Sequence, residues 1–380
     1  MPVRFSSRVQ SVELSMIRQV MMKARDCINL GIGELDFFAP GVIREEAHRV
    51  LEDEKIGYSP TAGLPELCRE ILNHHGNLPD QAVCVTNGSQ EALFDLILAL
   101  VQEGDEVLVP NPGFLAYPTV VELAGGVPIG YPIRHENDFQ LAEEDLPPLV
   151  SPRTRAIILV SPSNPTGQCL TSAQMRFVSQ LAEEKNLVVI SDEIYREIYY
   201  TPKKPVSVCQ VTDRAVILSG MSKMASMTGW RLGWACGPRD IIEKTTIMHQ
   251  YTSTCASTLA QRATLKAFTE QGREAVERQR KVLEESCNWL CSWIDQELDR
   301  FYVRPQGAFY LMLSVQDLKR DDSLSTSLEL LQEGVATIPG SAFGSQGEGF
   351  LRLSFAGRQD IMAEGLARLK KGLKRLSDAV

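Results

Sequence analysis

Between residues 82 and 236, short apolar runs alternate with stretches in which apolar side chains return every three or four positions. AVCVT (82–86), EVLVP (106–110), RAIILV (155–160), LVVIS (187–191) and AVILS (215–219) predict strands. SQEALFDLILALVQ (89–102) and TSAQMRFVSQLAEEKN (171–186) carry helical periodicity. Strands this continuously apolar are buried on both faces, so the pattern predicts an α/β fold with a mainly parallel sheet flanked by helices. Ligands of such sheets gather beyond the carboxyl ends of the strands.

After Gly237 the pattern changes. A long helical stretch from about 240 to 298 leads to GAFYLMLSV (307–315), a helix near 325–334, FLRLSFA (350–356) and a closing helix near 360–377. These predict a smaller α/β unit, which the N-terminal arm and helix join. The expected division is a large domain over 46–270 and a small, discontinuous one over 1–45 plus 271–380. A chain of 380 residues is long enough for two cores.

Composition narrows the partners. Hydrophobic residues make up 44% and charged residues 23%, ordinary values for a soluble enzyme. Thirty-nine Lys and Arg against 48 Asp and Glu leave a net charge of −9, which argues against nucleic acid or an anionic membrane as partner. Nine scattered cysteines without a Cys-x-x-Cys pair fit thiols in a reducing cytoplasm, not a disulfide framework or metal site. The five histidines form no H-x-x-x-H pair, and no metal is expected. No apolar run reaches membrane-spanning length, and the start lacks a signal-peptide core.

The chemistry concentrates after the predicted strands. In SGMSKMASMTGWRLGW (219–234), Lys223 can form an imine with a carbonyl and later carry a proton. Arg231 offers a permanently charged fork for phosphate, and MASMTGW between them reads as a turn bent at Gly229. TNGSQEAL (86–93) opens a helix, where the N–H groups of Gly88, Ser89 and Gln90 form a site for an anion; Ser89 as a simple cap is the plain alternative. SPSNPTG (161–167) fixes Asn164 before a proline, as a polar contact or as an ordinary turn. In SDEIY (191–195), Asp192 either caps the next helix or partners a protonated pyridine nitrogen, with Tyr195 on the same side.

Together with FLRLSFA and INLGIGELDF (28–37), these motifs resemble the class I/II aminotransferases across essentially the whole chain. That family has the fold-type I architecture, a seven-stranded sheet with a smaller domain, and uses pyridoxal 5'-phosphate. The resemblance implies that Lys223 bonds the cofactor and that Asp192 partners its ring nitrogen. It implies that Tyr195 and Asn164 donate to the ring oxygen, and that Arg231, Ser89, Gly88 and Gln90 cup the phosphate. Phe114 would cover the ring, Arg352 would clamp the substrate α-carboxylate, and Gly33 would bring backbone close to the substrate. Tyr58 would reach the phosphate of a neighbouring subunit, implying a homodimer with shared active sites. Two positions depart from the pattern. Gly220 replaces a phosphate-binding serine, leaving Ser222 or Ser219 to make that contact. Gln90 stands where an aspartate-specific branch has a lysine, so neutral or aromatic donors are expected to equal or beat aspartate.

The reading is a transfer of nitrogen from an L-amino acid to a 2-oxo acid. Lys223 would move the Cα proton, and must therefore titrate well below its ordinary value near ~10.4. A β-lyase would keep the cofactor and change the reaction. A ligand-sensing regulator would need a DNA-binding unit before residue 46, and the net charge of −9 speaks against it. A nicotinamide dehydrogenase fails because LGIGELD lacks the G-x-G-x-x-G spacing.

Overall fold

The structure is a computed structural model that describes residues 3–10, 12, 14–77, 79–318 and 322–378. Its strands are β1 Ile28–Asn29, β2 Gln81–Thr86, β3 Glu106–Asn111, β4 Val127–Pro132, β5 Thr154–Val160 and β6 Val188–Asp192. They continue with β7 Ala215–Gly220, β8 Gly233–Pro238, β9 Tyr310–Ser314, β10 Val335–Ala336, β11 Ile338–Pro339 and β12 Phe350–Ser354. Seven strands form one sheet in the order β2-β8-β7-β6-β5-β3-β4. β8 alone runs opposite to the other six strands, so its pairings with β2 and β7 are antiparallel and the rest are parallel.

Side-chain alternation explains why these runs form strands buried on both faces. Val83, Val85, Leu108, Ile157, Leu159, Val189 and Ile217 enter one core cluster. Their sequence neighbours Cys84, Val107, Val109, Ile158, Ile190, Val216 and Leu218 enter another. Each face is covered by helices, and each fully buried aliphatic side chain contributes about 1.5–3 kcal/mol.

All five predicted strands form. The sequence reading missed β4 and β8. The β4 segment VPIGYP carries two prolines and a glycine, which are poor strand formers, and it lies at the sheet edge where they are tolerated. β8, GWACGP, starts on the last two residues of the segment read as a motif. Its glycine is needed for close packing: a Cβ on Gly233 would sit 2.5 Å from the carbonyl carbon of Gly88 and 2.9 Å from its Cα. A Cβ on Gly220 would in turn sit 2.7 Å from Gly233 Cα.

The expected long helix over 240–298 is broken. It forms Arg239–Thr252, Thr258–Thr264 and Glu270–Glu297, with a single 3₁₀ turn over Leu265–Phe268. Serine and threonine supply the starts: Ser257 accepts from Ala260 N at 3.3 Å and Thr269 from Gly272 N at 3.3 Å. Further on, β11-β12-β9 form a three-stranded antiparallel sheet, and β1 pairs in parallel with β10. A third core cluster joins β1, β9, β10 and β12 to Glu270–Glu297 and the closing helix Gln359–Asp378. Among the described residues, no helix is long and apolar enough to cross a membrane.

Helix Ser89–Leu100 packs against Arg239–Thr252 around a buried charge cluster. His249 Nδ1 lies 2.7 Å from Glu91 Oε1 and 3.3 Å from Asp95 Oδ2. The hydroxyls of Ser253 and Thr252 donate to Glu91 at 2.6 Å and to Asp95 at 2.7 Å. Burial alone would lower the His249 pKa, but bonding to Asp95 and Glu91 outweighs it and raises the value to about 9. A raised value stabilises the fold fully below the unfolded pKa and loses that contribution as pH climbs through the folded one. Between about pH 6.5 and 9, wild type should therefore lose stability relative to His249→Gln, with the difference in melting temperature narrowing across that window. A difference that stays constant or widens would show that His249 is not held as an imidazolium.

Candidate active site

Beyond the carboxyl ends of β5, β6 and β7 lies a cavity of about 600 Å³. β7 ends at Gly220, and the one-turn helix Met221–Met224 that follows turns Lys223 into this space. The amine donates to the carbonyl of Gly33 at 2.5 Å and lies 5.7 Å from the centre of the Phe309 ring. Burial lowers its pKa to about 8. The Glu34 carboxylate opposes that shift, while Arg352 and Arg231 reinforce it. Among the described residues, no carboxylate lies within ion-pair distance of it.

Asp192 ends β6. No helix follows it, so it is not a helix cap; instead Oδ1 accepts from Ile194 N at 3.1 Å in a turn. Its other oxygen accepts from the Tyr117 hydroxyl at 2.8 Å. Burial raises this carboxyl to about 6, and the bonds from Tyr117 and Ile194 hold it from going further. The amine and the carboxyl thus both leave their ordinary ranges, in opposite directions, for the same reason.

Arg352, on β12, is 3% exposed yet pairs with no carboxylate. Its Nη1 donates to Asn164 Oδ1 at 2.8 Å and its Nη2 to Gly31 O at 2.7 Å. The guanidinium lies 4.2 Å from the Tyr310 ring centre and 4.7 Å from that of Phe343. Its Nε is buried without an acceptor. Tyr195 and Tyr310 share a hydroxyl bond of 3.1 Å in the same wall, and burial pushes both phenols above their ordinary range.

At the other end, Gly88 caps helix Ser89–Leu100 with φ +95. Ser89 is the first helical residue and its side chain caps nothing, which corrects the simple-cap alternative. The first N–H groups of this helix have no intrahelical partner. Arg231 stands beside them, its Nη1 donating to Thr228 O at 2.9 Å and its Nη2 to Asn87 O at 3.3 Å. Its own φ is +53 and that of Ser226 is +52, so the sharp bends of the 223–231 turn sit there and not at Gly229. A Cβ on Gly88 would collide with the Arg231 guanidinium.

The cavity therefore gathers Gly33, Ser89, Gln90, Phe114, Asn164, Asp192, Tyr195, Ser222, Lys223, Arg231 and Arg352. Gly88 sits directly behind Arg231. The Phe114 ring stands edge-on to Tyr117, 5.6 Å between centres. Ser222 lines the space, whereas Ser219 turns its hydroxyl to Glu193 O at 3.4 Å. A Cβ on Gly33 would sit 2.8 Å from the Tyr310 hydroxyl. Tyr58 is not brought in; it is 90% exposed on the surface.

Sequence reasoning missed Tyr117, Tyr310, Glu34, Thr228 and Arg18, which also line the cavity. Tyr117 and Tyr310 carry no local signal that separates a site residue from a core position of a helix or strand. Glu34 gave a signal, a charge beside Gly33 in a turn. A second cavity of about 690 Å³ shares Gln90 and Arg231 but contains neither Lys223 nor Arg352.

Known proteins share this arrangement of chain. An aspartate aminotransferase from Pyrococcus abyssi is 36% identical, covering 97% of this chain and 98% of its own length. Aromatic-amino-acid aminotransferase 2 from Thermococcus litoralis is 34% identical, covering 97% of this chain and 98% of its own. The solved structure of Thermus thermophilus aspartate aminotransferase with maleate superposes with a TM-score of 0.92 at 32% identity, over 98% of this chain and 100% of that one. The pattern of the family "Aminotransferase class I and II" matches residues 25–369, and the chain belongs to that family.

Proposed function

We propose that this aminotransferase moves an amino group between an L-amino acid and a 2-oxo acid with pyridoxal 5'-phosphate held between Lys223 and Asp192. One observation carries the reading. A single cavity holds a buried amine brought down to about 8, a buried carboxyl raised to about 6, and a buried arginine with an unused Nε. The donors fit the group: an amine for the aldehyde, a carboxylate for the ring nitrogen, and Arg231 with a helix N-terminus for the phosphate. When bound, the cofactor supplies an electron-withdrawing ring that accepts the electron pair left at the substrate Cα.

The residues divide the remaining work. Lys223 would hold the cofactor through its amine and, when that amine is free, would move the proton at the substrate Cα. Asp192, largely ionised at neutral pH, holds the proton on the ring nitrogen. Tyr195 and Asn164 donate to the ring oxygen; the Asn164 oxygen already faces Arg352, leaving its amide N–H groups to donate. Arg231, Ser89, Ser222 and the backbone of Gly88 and Gln90 hold the phosphate. Phe114 covers the ring, Arg352 clamps the α-carboxylate, and Gly33 leaves it room.

The same proposal includes a cytoplasmic homodimer in which Tyr58 reaches the partner's phosphate site. In support, Tyr58 is 90% exposed, Phe38 83% and Tyr251 82%, large aromatic surfaces that suit an interface. It also includes the division into 46–270 and 1–45 plus 271–380. In support, the seven-stranded sheet falls wholly inside the first range, and all five short strands fall in the second.

Lys223→Ala should fold, lose the visible absorbance of bound cofactor and lose turnover. A variant that kept more than a few per cent of the wild-type rate would sink the assignment. In wild-type apoprotein the neutral amine is the reactive form, so the rate of pyridoxal phosphate uptake should rise with pH and level off above about 8. A rate independent of pH between 6 and 9 would show that Lys223 is not the group that reacts.

Asp192→Asn separates electronics from structure. An amide still bonds Ile194 N and Tyr117, so a purely structural residue would leave stability and rate near wild type. A group holding a ring proton predicts instead a loss of several orders of magnitude in kcat with a much smaller loss of cofactor affinity. For the dimer, mixing inactive Tyr58→Phe and Lys223→Ala subunits should restore activity, because each hybrid carries one site with both groups intact. Hybrids with no recovered activity would place Tyr58 outside the site.

A further inference from the structure

We infer that Arg18 is a specificity-determining residue whose guanidinium pairs with the distal carboxylate of a dicarboxylic amino or 2-oxo acid. The inference rests on the reading of the 600 Å³ cavity as the substrate site. Helix Met16–Lys23 begins at Ser15, whose hydroxyl accepts from Arg18 N at 3.3 Å. Ile17, Arg18 and Met21 all line the cavity, the spacing at which residues share one helix face. That face is tied to the floor of the site. Asn29 Nδ2 donates to Met21 Sδ at 3.1 Å, and Asn29 Oδ1 accepts from Gly31 N at 2.9 Å. The carbonyl of Gly31 accepts from Arg352. The two arginines therefore stand on structures linked by three consecutive hydrogen bonds, one buried at the floor and one exposed at the rim.

The charges around the cavity leave Arg18 without another use. Its cationic residues are Lys223, Arg231, Arg352 and Arg18, and its acids are Asp192 and Glu34. Lys223, Arg231 and Arg352 are spoken for by the aldehyde, the phosphate and the α-carboxylate. Asp192 is bonded by Tyr117 and Ile194, and Glu34 accepts from the Thr228 hydroxyl. The Arg18 guanidinium has no hydrogen bond or ion pair with any described residue. Between the rim and the floor, Ile17, Met21, Ile32 and Leu93 supply an apolar wall, which suits a methylene spacer between two carboxylates. A neutral Gln90 by itself favours neutral or aromatic donors, as the sequence suggests; Arg18, which lines the same space, supplies the charge that Gln90 lacks and reverses that expectation.

A solvated surface arginine would make no distinction among substrates. The test compares holoenzyme and Arg18→Gln on 2-oxoglutarate and on 2-oxopentanoate, which matches its chain and ends in methyl where the other carries a carboxylate. Wild type should prefer 2-oxoglutarate. Arg18→Gln should lower kcat/KM for 2-oxoglutarate about tenfold or more, the scale of a lost charged pair, mainly through KM. It should leave 2-oxopentanoate within about twofold, because that substrate offers no second charge to the rim. Arg18→Lys should recover part of the loss by restoring the charge without the fork. Equal effects on both acids, or none on either, would overturn the inference while leaving the active-site reading intact. Wild-type enzyme that takes 2-oxopentanoate as readily as 2-oxoglutarate would also overturn it, whereas failure of the active-site reading shows separately, as turnover retained in Lys223→Ala.

Discussion

The Arg352 guanidinium is the constraint around which the site is organised. A buried positive charge without a carboxylate costs several kcal/mol unless its protons are satisfied. Here Nη1 and Nη2 donate to neutral acceptors, Asn164 Oδ1 and Gly31 O, the faces of Tyr310 and Phe343 cover the guanidinium, and Nε is left without an acceptor. These partners come from the loop after β5, from the segment after β1, from β9 and from the turn after β11. One side chain thereby draws the N-terminal segment, the main sheet and the three-stranded sheet to a common point. Because every partner is neutral, the charge remains available to an anion. A carboxylate in any of those places would have stabilised the fold more simply and closed the site.

The opposite end of the cavity is positioned by backbone contact instead of charge. The Gly88 turn lies against Gly233 of β8, and Gly233 lies against Gly220 of β7, each at a distance that excludes a side chain. Any Cβ there would push the start of helix Ser89–Leu100 away from Arg231. The N–H groups and the guanidinium would then no longer converge. The missing serine at position 220 has its reason in this packing. A side chain there needs the space that the β7–β8 approach occupies, whereas Ser222, two residues on, lines the cavity.

How much of this was legible follows from the range of each interaction. Lys223, Asp192 and Asn164 follow strongly apolar strands, so local pattern plus the strand-end rule placed them near one another. The five central strands were legible for the same reason: both faces are buried, and their sequences show it. β4 and β8 were not, because edge position and glycine packing override strand propensity there. The helix breaks at 253–257 and 269 rest on single hydroxyl caps that periodicity over a long window hides. Tyr117 illustrates the remaining gap. Its contact with Asp192 spans 75 residues, and nothing in GFLAYP distinguishes a buried helix tyrosine from one that meets a carboxylate. Arg18 was invisible likewise, since only tertiary placement shows that its helix faces the cavity.

The two displaced titrations bear on each other. Burial moves Lys223 down to about 8 and Asp192 up to about 6, so each would become less charged if water were excluded further. Near neutral pH both still carry most of their charge, the amine as a cation and the carboxylate as an anion. Neither pairs with the other, so the cavity keeps two separated and poorly solvated charges. A ligand bringing a cationic ring nitrogen to Asp192 and a carbonyl to Lys223 relieves both at once. The anion gains a partner, and the amine loses its charge by bonding. Desolvation that is unfavourable in the empty cavity then becomes selectivity for a ligand carrying both groups at the right separation, and a molecule with only one of them leaves the other charge stranded.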